Sequence, residues 1–185
     1  MLLLIAGLLL FCGSHLTVSL APALHARRNE PAVTGAIALL SLGGLALIVF
    51  GWRGAETQWL FAQPPATRLL ALLLIAVGVY LFVVSGRPSR VKRVLRHPQL
   101  TGVLLWSLAH LLLNGDSRSL LLFGALGAWC VAEMLLINRR DGAWQKPEAP
   151  SLGTDIGTAV VAVVVFAVLA WAHPWLAGVP VYLPG

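Results

Sequence analysis

Five ionisable side chains interrupt or edge the apolar stretches of this chain: His15, His97, His110, Glu133 and His173. Hydrocarbon offers a polar side chain no water, so each needs a partner and each is a candidate for chemistry. A neutral imidazole nitrogen donates to metals. Two imidazoles facing each other from different helices can hold haem iron while apolar walls receive the porphyrin. The alternative is a histidine that bonds a nearby backbone carbonyl or sits wet at the membrane surface. His97, within Arg96-His97-Pro98, also reads as an ordinary helix start. Glu133 lies one turn before Ile137 and close to Arg139 and Arg140, and is expected to snorkel to them, with proton relay as its functional alternative. Trp106 and Trp129 lie deep enough to pack on a ligand or in the core. His25, beside Arg27 and Arg28, is expected to be solvated.

The elements that position these residues follow from composition. Of 185 residues, 58% are hydrophobic and 11% charged, less than half the ~25% charge of an ordinary soluble domain. Mean hydropathy is +0.85. A helix crossing a ~30 Å hydrocarbon layer needs about 20 apolar residues. Six such stretches are predicted, at 2–21, 34–52, 69–85, 100–114, 120–137 and 156–176, the fourth short and extendable through Arg96-His97-Pro98. The expected fold is all-α, a polytopic six-helix bundle forming a single domain over 1–185, with short loops making successive helices antiparallel neighbours. Gly43-Gly44 and the pair Gly124 and Gly127 are expected to let helices approach closely.

The net charge of +6 would suit a nucleic-acid binder if the cations were not confined to loops. Ten of the 13 Lys and Arg fall in the odd loops (Arg27, Arg28, Arg87, Arg90, Lys92, Arg93, Arg96, Arg139, Arg140, Lys146), and Arg53, Arg68 and Arg118 in the even ones. That asymmetry puts the odd loops in the cytoplasm and both termini outside. Trp52, Trp59, Trp144, Trp171 and Trp175 fall near span ends, as an interfacial belt requires. Ala21-Pro22-Ala23 offers small residues after the first apolar run, but no positive segment precedes that run, so cleavage there is not expected. Two cysteines, Cys12 and Cys130, both in apolar runs, leave no disulfide framework and no multi-cysteine zinc site. No GxSxG, HExxH, P-loop or GxGxxG sequence is present, and the seven acids offer no paired-carboxylate site.

Depth along the spans sorts the histidines into two pairs. His15 and His97 fall toward the cytoplasmic side, and His110 and His173 each lie about one turn from the outer surface.

The run Arg96-His97-Pro98 through Trp106-Ser107-Leu108-Ala109-His110 to Asn114-Gly115-Asp116 resembles the signature of the NnrU family. Phe11-Cys12-Gly13-Ser14-His15, Pro64-Pro65-Ala66-Thr67-Arg68 and His173-Pro174-Trp175 extend the likeness over almost the whole chain. The resemblance implies a bacterial inner-membrane protein with periplasmic termini. Its partners would be membrane lipids and denitrification enzymes or their assembly factors, with no nucleic acid, and its role would lie in the expression or maturation of nitrite and nitric oxide reductases. The family is also similar to plant 15-cis-zeta-carotene isomerase, a haem b membrane enzyme, which implies haem b with His110 and His15 as axial ligands. His173, the depth-matched alternative to His15, and His97 and Trp106 complete the candidate cofactor site. Ser107 stands where that enzyme has a cysteine, and Leu69 where many relatives have a histidine. Haem-dependent isomerisation of a polyene and a cofactor-free transporter or scaffold are the alternatives. Arg96-His97-Pro98 followed by Gly102 also resembles a methyltransferase motif that binds S-adenosylmethionine, but Leu100 replaces its tyrosine and no later acidic pair follows.

Overall fold

A computed structural model describes residues 1–181; the last four residues of the domain expected over 1–185 lie outside it. Among the described residues there are seven α-helices: α1 (Leu2–Leu20), α2 (Pro22–Ala26), α3 (Pro31–Gly54), α4 (Thr67–Ser85), α5 (Pro98–Leu113), α6 (Ser117–Asp141) and α7 (Leu152–Ala177). A 3₁₀ turn covers Arg90–Arg93. Five of them, α1, α3, α4, α6 and α7, are long and apolar enough to cross a membrane, and α5 is a shorter apolar helix. At 1.5 Å per residue the 16 residues of α5 reach about 24 Å, short of a ~30 Å hydrocarbon core. The six predicted stretches therefore become five of spanning length plus one shorter helix, while the 3₁₀ turn and α2 were not foreseen.

Helix starts follow local chemistry. Pro22, Pro31 and Pro98 open α2, α3 and α5, where a missing N–H costs nothing. Asp116 and Ser151 cap α6 and α7 by accepting from the backbone N–H of Ser119 and Thr154. α7 ends at Gly178, whose φ of +79° favours glycine.

Helix neighbours run α3, α1, α6, α5, α4, α7 and back to α3. Two antiparallel pairs are in backbone contact. In α1 and α3, a Cβ on Gly51 would collide with the Leu4 backbone, and one on Gly44 would fall 2.8 Å from Phe11 N. In α4 and α5, Gly78 and Gly102 lie against each other's carbonyl oxygens. The expectation for Gly43, Gly124 and Gly127 is corrected, since a Cβ on Gly124 would meet nothing within 4 Å and those on Gly43 and Gly127 only side chains at 3.7 and 3.6 Å or beyond. Those glycines sit one or more residues off the contacting ridges, and only the three-dimensional crossing reveals which rows touch.

The outer surface is apolar, unlike that of a water-soluble bundle, and a few small polar residues are packed inside. Ser107, Ser119 and Thr158 are fully buried, whereas Leu39, Leu42, Phe50, Leu73 and Val163 point outward. The core lies between α1, α3, α5 and α6, around Leu8, Trp52, Phe123, Leu126 and Trp129. One end of the bundle carries Met1, Gly54, Leu113 and Ala177 and is called the terminal face below. The other carries the basic turns and is held together by Arg87 donating to Thr158 and by Asp155 accepting from Ser89 Oγ and Arg90 N.

Candidate functional site

The segment between α3 and α4 lays itself over the α5–α6 turn at the terminal face. The Gly115 carbonyl accepts from Leu60 N and Phe61 N, and Ser117 N donates to Gln58 O. Any Cβ on Gly115 would collide with the Phe61 carbonyl, so only glycine fits. Asp116 is the hub of this turn, accepting from Ser119 N (3.0 Å), Ser119 Oγ (2.7 Å) and Thr57 Oγ1 (2.8 Å) beside Arg118. Burial works to raise its carboxyl, but the bonds from Ser119 and Thr57 and the Arg118 charge outweigh it and hold it below the ordinary carboxylate range. Arg118 stacks 4.3 Å over the Trp52 ring, and Trp52 Nε1 donates to the Ala177 carbonyl, tying α7 to the same end.

That frame fixes the last turn of α5, where His110 sits. Asn114 Nδ2 donates to the His110 carbonyl, and His110 Nδ1–H donates to the Trp106 carbonyl at 2.8 Å. The His110 ring stacks on Phe123 at 4.5 Å and lies 4.6 Å from Trp106; Phe123 in turn meets Trp52 edge-on at 5.7 Å. His173, in the last turns of α7, donates Nδ1–H to the Val179 carbonyl at 2.6 Å. Pro174 follows it inside the helix.

His15 occupies a different level. Its Nδ1–H is shared between the Phe11 carbonyl and Ser14 Oγ, both at 3.2 Å, and its ring meets Trp129 at 5.5 Å and Phe11 at 4.9 Å. Trp129 lies six residues beyond Phe123 on α6, about 9 Å of rise, so His15 and His110 rest against separate rungs of that helix. His97 is further away again. It precedes the first residue of α5, and its ring Nε2–H donates to Asn138 Oδ1, nine residues and about 14 Å past Trp129. The depth pairing of His15 with His97 is therefore corrected, while His110 and His173 do share the terminal face. Ring bonding separates the candidates too, because a carbonyl only accepts. His15, His110 and His173 each carry the proton on Nδ1 and leave Nε2 without a partner among the described residues, whereas His97 spends its Nε2–H. Among the described residues no three His, Cys, Asp or Glu side chains converge as a metal-ion group.

Two features escaped sequence reasoning. Asp116 is a buried hub, although an Asp directly before an apolar run with Ser three residues on is an N-cap signal that could have found it. Glu133 does not snorkel to Arg139 or Arg140: it is 5% exposed and accepts from Ser19 of α1, while Arg140 pairs with Asp141. The rotation of α6 turns Glu133 toward α1, away from the helix end. His25, expected to be solvated, is partly exposed and its Nε2 is bonded by Arg28 three residues on.

Five helices of spanning length and a surface rich in exposed leucine and valine define a polytopic helical membrane protein. Within that class, a family model described as NnrU protein matches residues 3–181, and the chain belongs to the NnrU family. The comparisons with curated proteins and with solved structures each found no match. The histidine-proline start of α5, the buried Ala109 beside His110 and the Asn114-Gly115-Asp116 turn now have physical roles: helix initiation, close packing and closure of the terminal face.

Proposed function

We propose that this NnrU-family chain binds haem b in the bacterial inner membrane and supports denitrification, as a sensor or assembly factor in the expression or maturation of nitrite and nitric oxide reductases. One observation supports the haem reading above others. His110, His15 and His173 each commit Nδ1–H to a backbone carbonyl and leave Nε2 without a partner among the described residues, the tautomer in which imidazole ligates iron. Axial nitrogens stand roughly 4 Å apart across a metal, at about 2 Å per bond. The rise of about 9 Å between the rungs of His15 and His110 therefore favours His173 as the partner of His110. Trp106 and Phe123 supply an aromatic wall, and the Asn114 bond and Trp106 carbonyl orient the His110 ring. Held there by His110 and His173, haem would supply a redox-active iron, which suits a redox-sensing or electron-transfer role. The denitrification enzymes or their assembly factors are the proposed partners, and the periplasm is the proposed side of the terminal face.

The test is the absorption spectrum of detergent-purified protein, oxidised and dithionite-reduced, with haem extracted as its pyridine complex. Parent protein is expected to hold about one haem per chain, His110→Ala and His173→Ala to lose the low-spin spectrum, and His15→Ala to keep it. Colourless parent protein that also fails to take up added haem overturns the reading. Loss in His15→Ala with retention in His173→Ala would instead require α1 to slide along α6.

A further inference from the structure

We infer that Glu133 is a proton-binding site inside the membrane that exchanges its proton with the basic face through the Ser19 hydroxyl. Ser19 Oγ donates to Glu133 Oε1 at 3.0 Å, while Oε2 is buried and has no partner among the described residues. The side chain is 5% exposed, and no Lys or Arg among the described residues forms an ion pair with it. The titratable groups facing it are Cys12 from α1 and Cys130 from α6 itself, and neither brings positive charge. On α5, the other helix packed against α6, His97 is held by Asn138 and His110 lies at the far end. A carboxylate so placed has one hydroxyl to solvate it, whereas a bound proton removes the charge that hydrocarbon cannot solvate.

Ser19 is the penultimate residue of α1 and only partly buried, so water at the basic face reaches its hydroxyl. A proton arriving on Ser19 Oγ releases the hydroxyl proton to Oε1 of the ionised form. Rotation of the carboxyl group then carries the O–H to the Oε2 side and restores the Ser19 bond. Beyond Glu133 the seam continues to Trp129, whose buried Nε1 also lacks a partner among the described residues and whose ring meets His15. The inference stands apart from haem binding, since Glu133 is none of the proposed ligands and its hydrogen bond runs to Ser19.

Infrared spectroscopy of the full chain in lipid at neutral pH tests it, through the carbonyl band of a protonated carboxyl group and its shift on transfer to heavy water. The band is expected in the parent and absent in Glu133→Gln, whose amide oxygen still accepts from Ser19. In Ser19→Ala the band is expected to persist while hydrogen exchange slows about tenfold, the effect of losing roughly one hydrogen bond from the path. Absence of any such band in the parent, its persistence in Glu133→Gln, or unslowed exchange in Ser19→Ala overturns the inference.

Discussion

Replacing Asp116 by Ala should loosen the whole terminal face. The side chain accepts three hydrogen bonds, two of them from Ser119, which is fully buried. Loss of the cap costs about 1 kcal/mol and loss of the Thr57 bond about 1 kcal/mol more, with roughly 1 kcal/mol or above for a Ser119 hydroxyl left unpaired. The expected total is about 3 kcal/mol. Asp116→Asn keeps an acceptor for Ser119 and Thr57 and loses only the charge beside Arg118, so it should cost about 1 kcal/mol. Because the folded carboxyl titrates below its unfolded value, its stabilisation is complete above the unfolded pKa. It is lost as pH falls through the lower, folded one. Denaturant unfolding of detergent-purified protein at neutral pH and in an acid series measures both effects. The Asn variant should lack the acid-dependent step that the parent shows. Asp116→Ala within about 0.5 kcal/mol of the parent, or Asn as damaging as Ala, would refute the hub.

Two further perturbations probe the frame. Gly51→Ala places a methyl group against the Leu4 backbone and should destabilise by about 1–3 kcal/mol, less up to ~1 kcal/mol of regained helix propensity, in the same unfolding assay. Gly43→Ala, facing only a Leu10 methyl at 3.7 Å, should be near neutral, and equal effects would show that the α1–α3 crossing is wrong. Trp52→Phe keeps an aromatic edge contact with Phe123 but removes the bond to Ala177, so proteolysis should cut the end of α7 faster. An unchanged cleavage rate would place the anchor of α7 elsewhere.

Where helices form was legible because hydrophobic length is written locally: each long apolar run became a helix of spanning length. Pro98 with Asn114-Gly115-Asp116 likewise announced both ends of α5. The shortness of α5 was also visible, and the segment over 55–66 explains it by closing the end of the helix. The glycines were half legible. Small residues could be found, but contact at Gly7, Gly44, Gly51, Gly78 and Gly102 depends on which ridges cross.

By itself the sequence determined membership of the family, the membrane class and the identity of the four intramembrane or interfacial histidines, because residue type and apolar length need no partner to be read. Tertiary structure alone decided which of them stand together. His110 and His173 lie toward the same end of the bundle, His15 rests one rung down α6, and His97 turns to Asn138. It also decided that Glu133 faces Ser19 instead of its neighbouring arginines. Both outcomes depend on the rotation and vertical offset of one helix against another, and these are set by side-chain packing between segments more than a hundred residues apart in the chain.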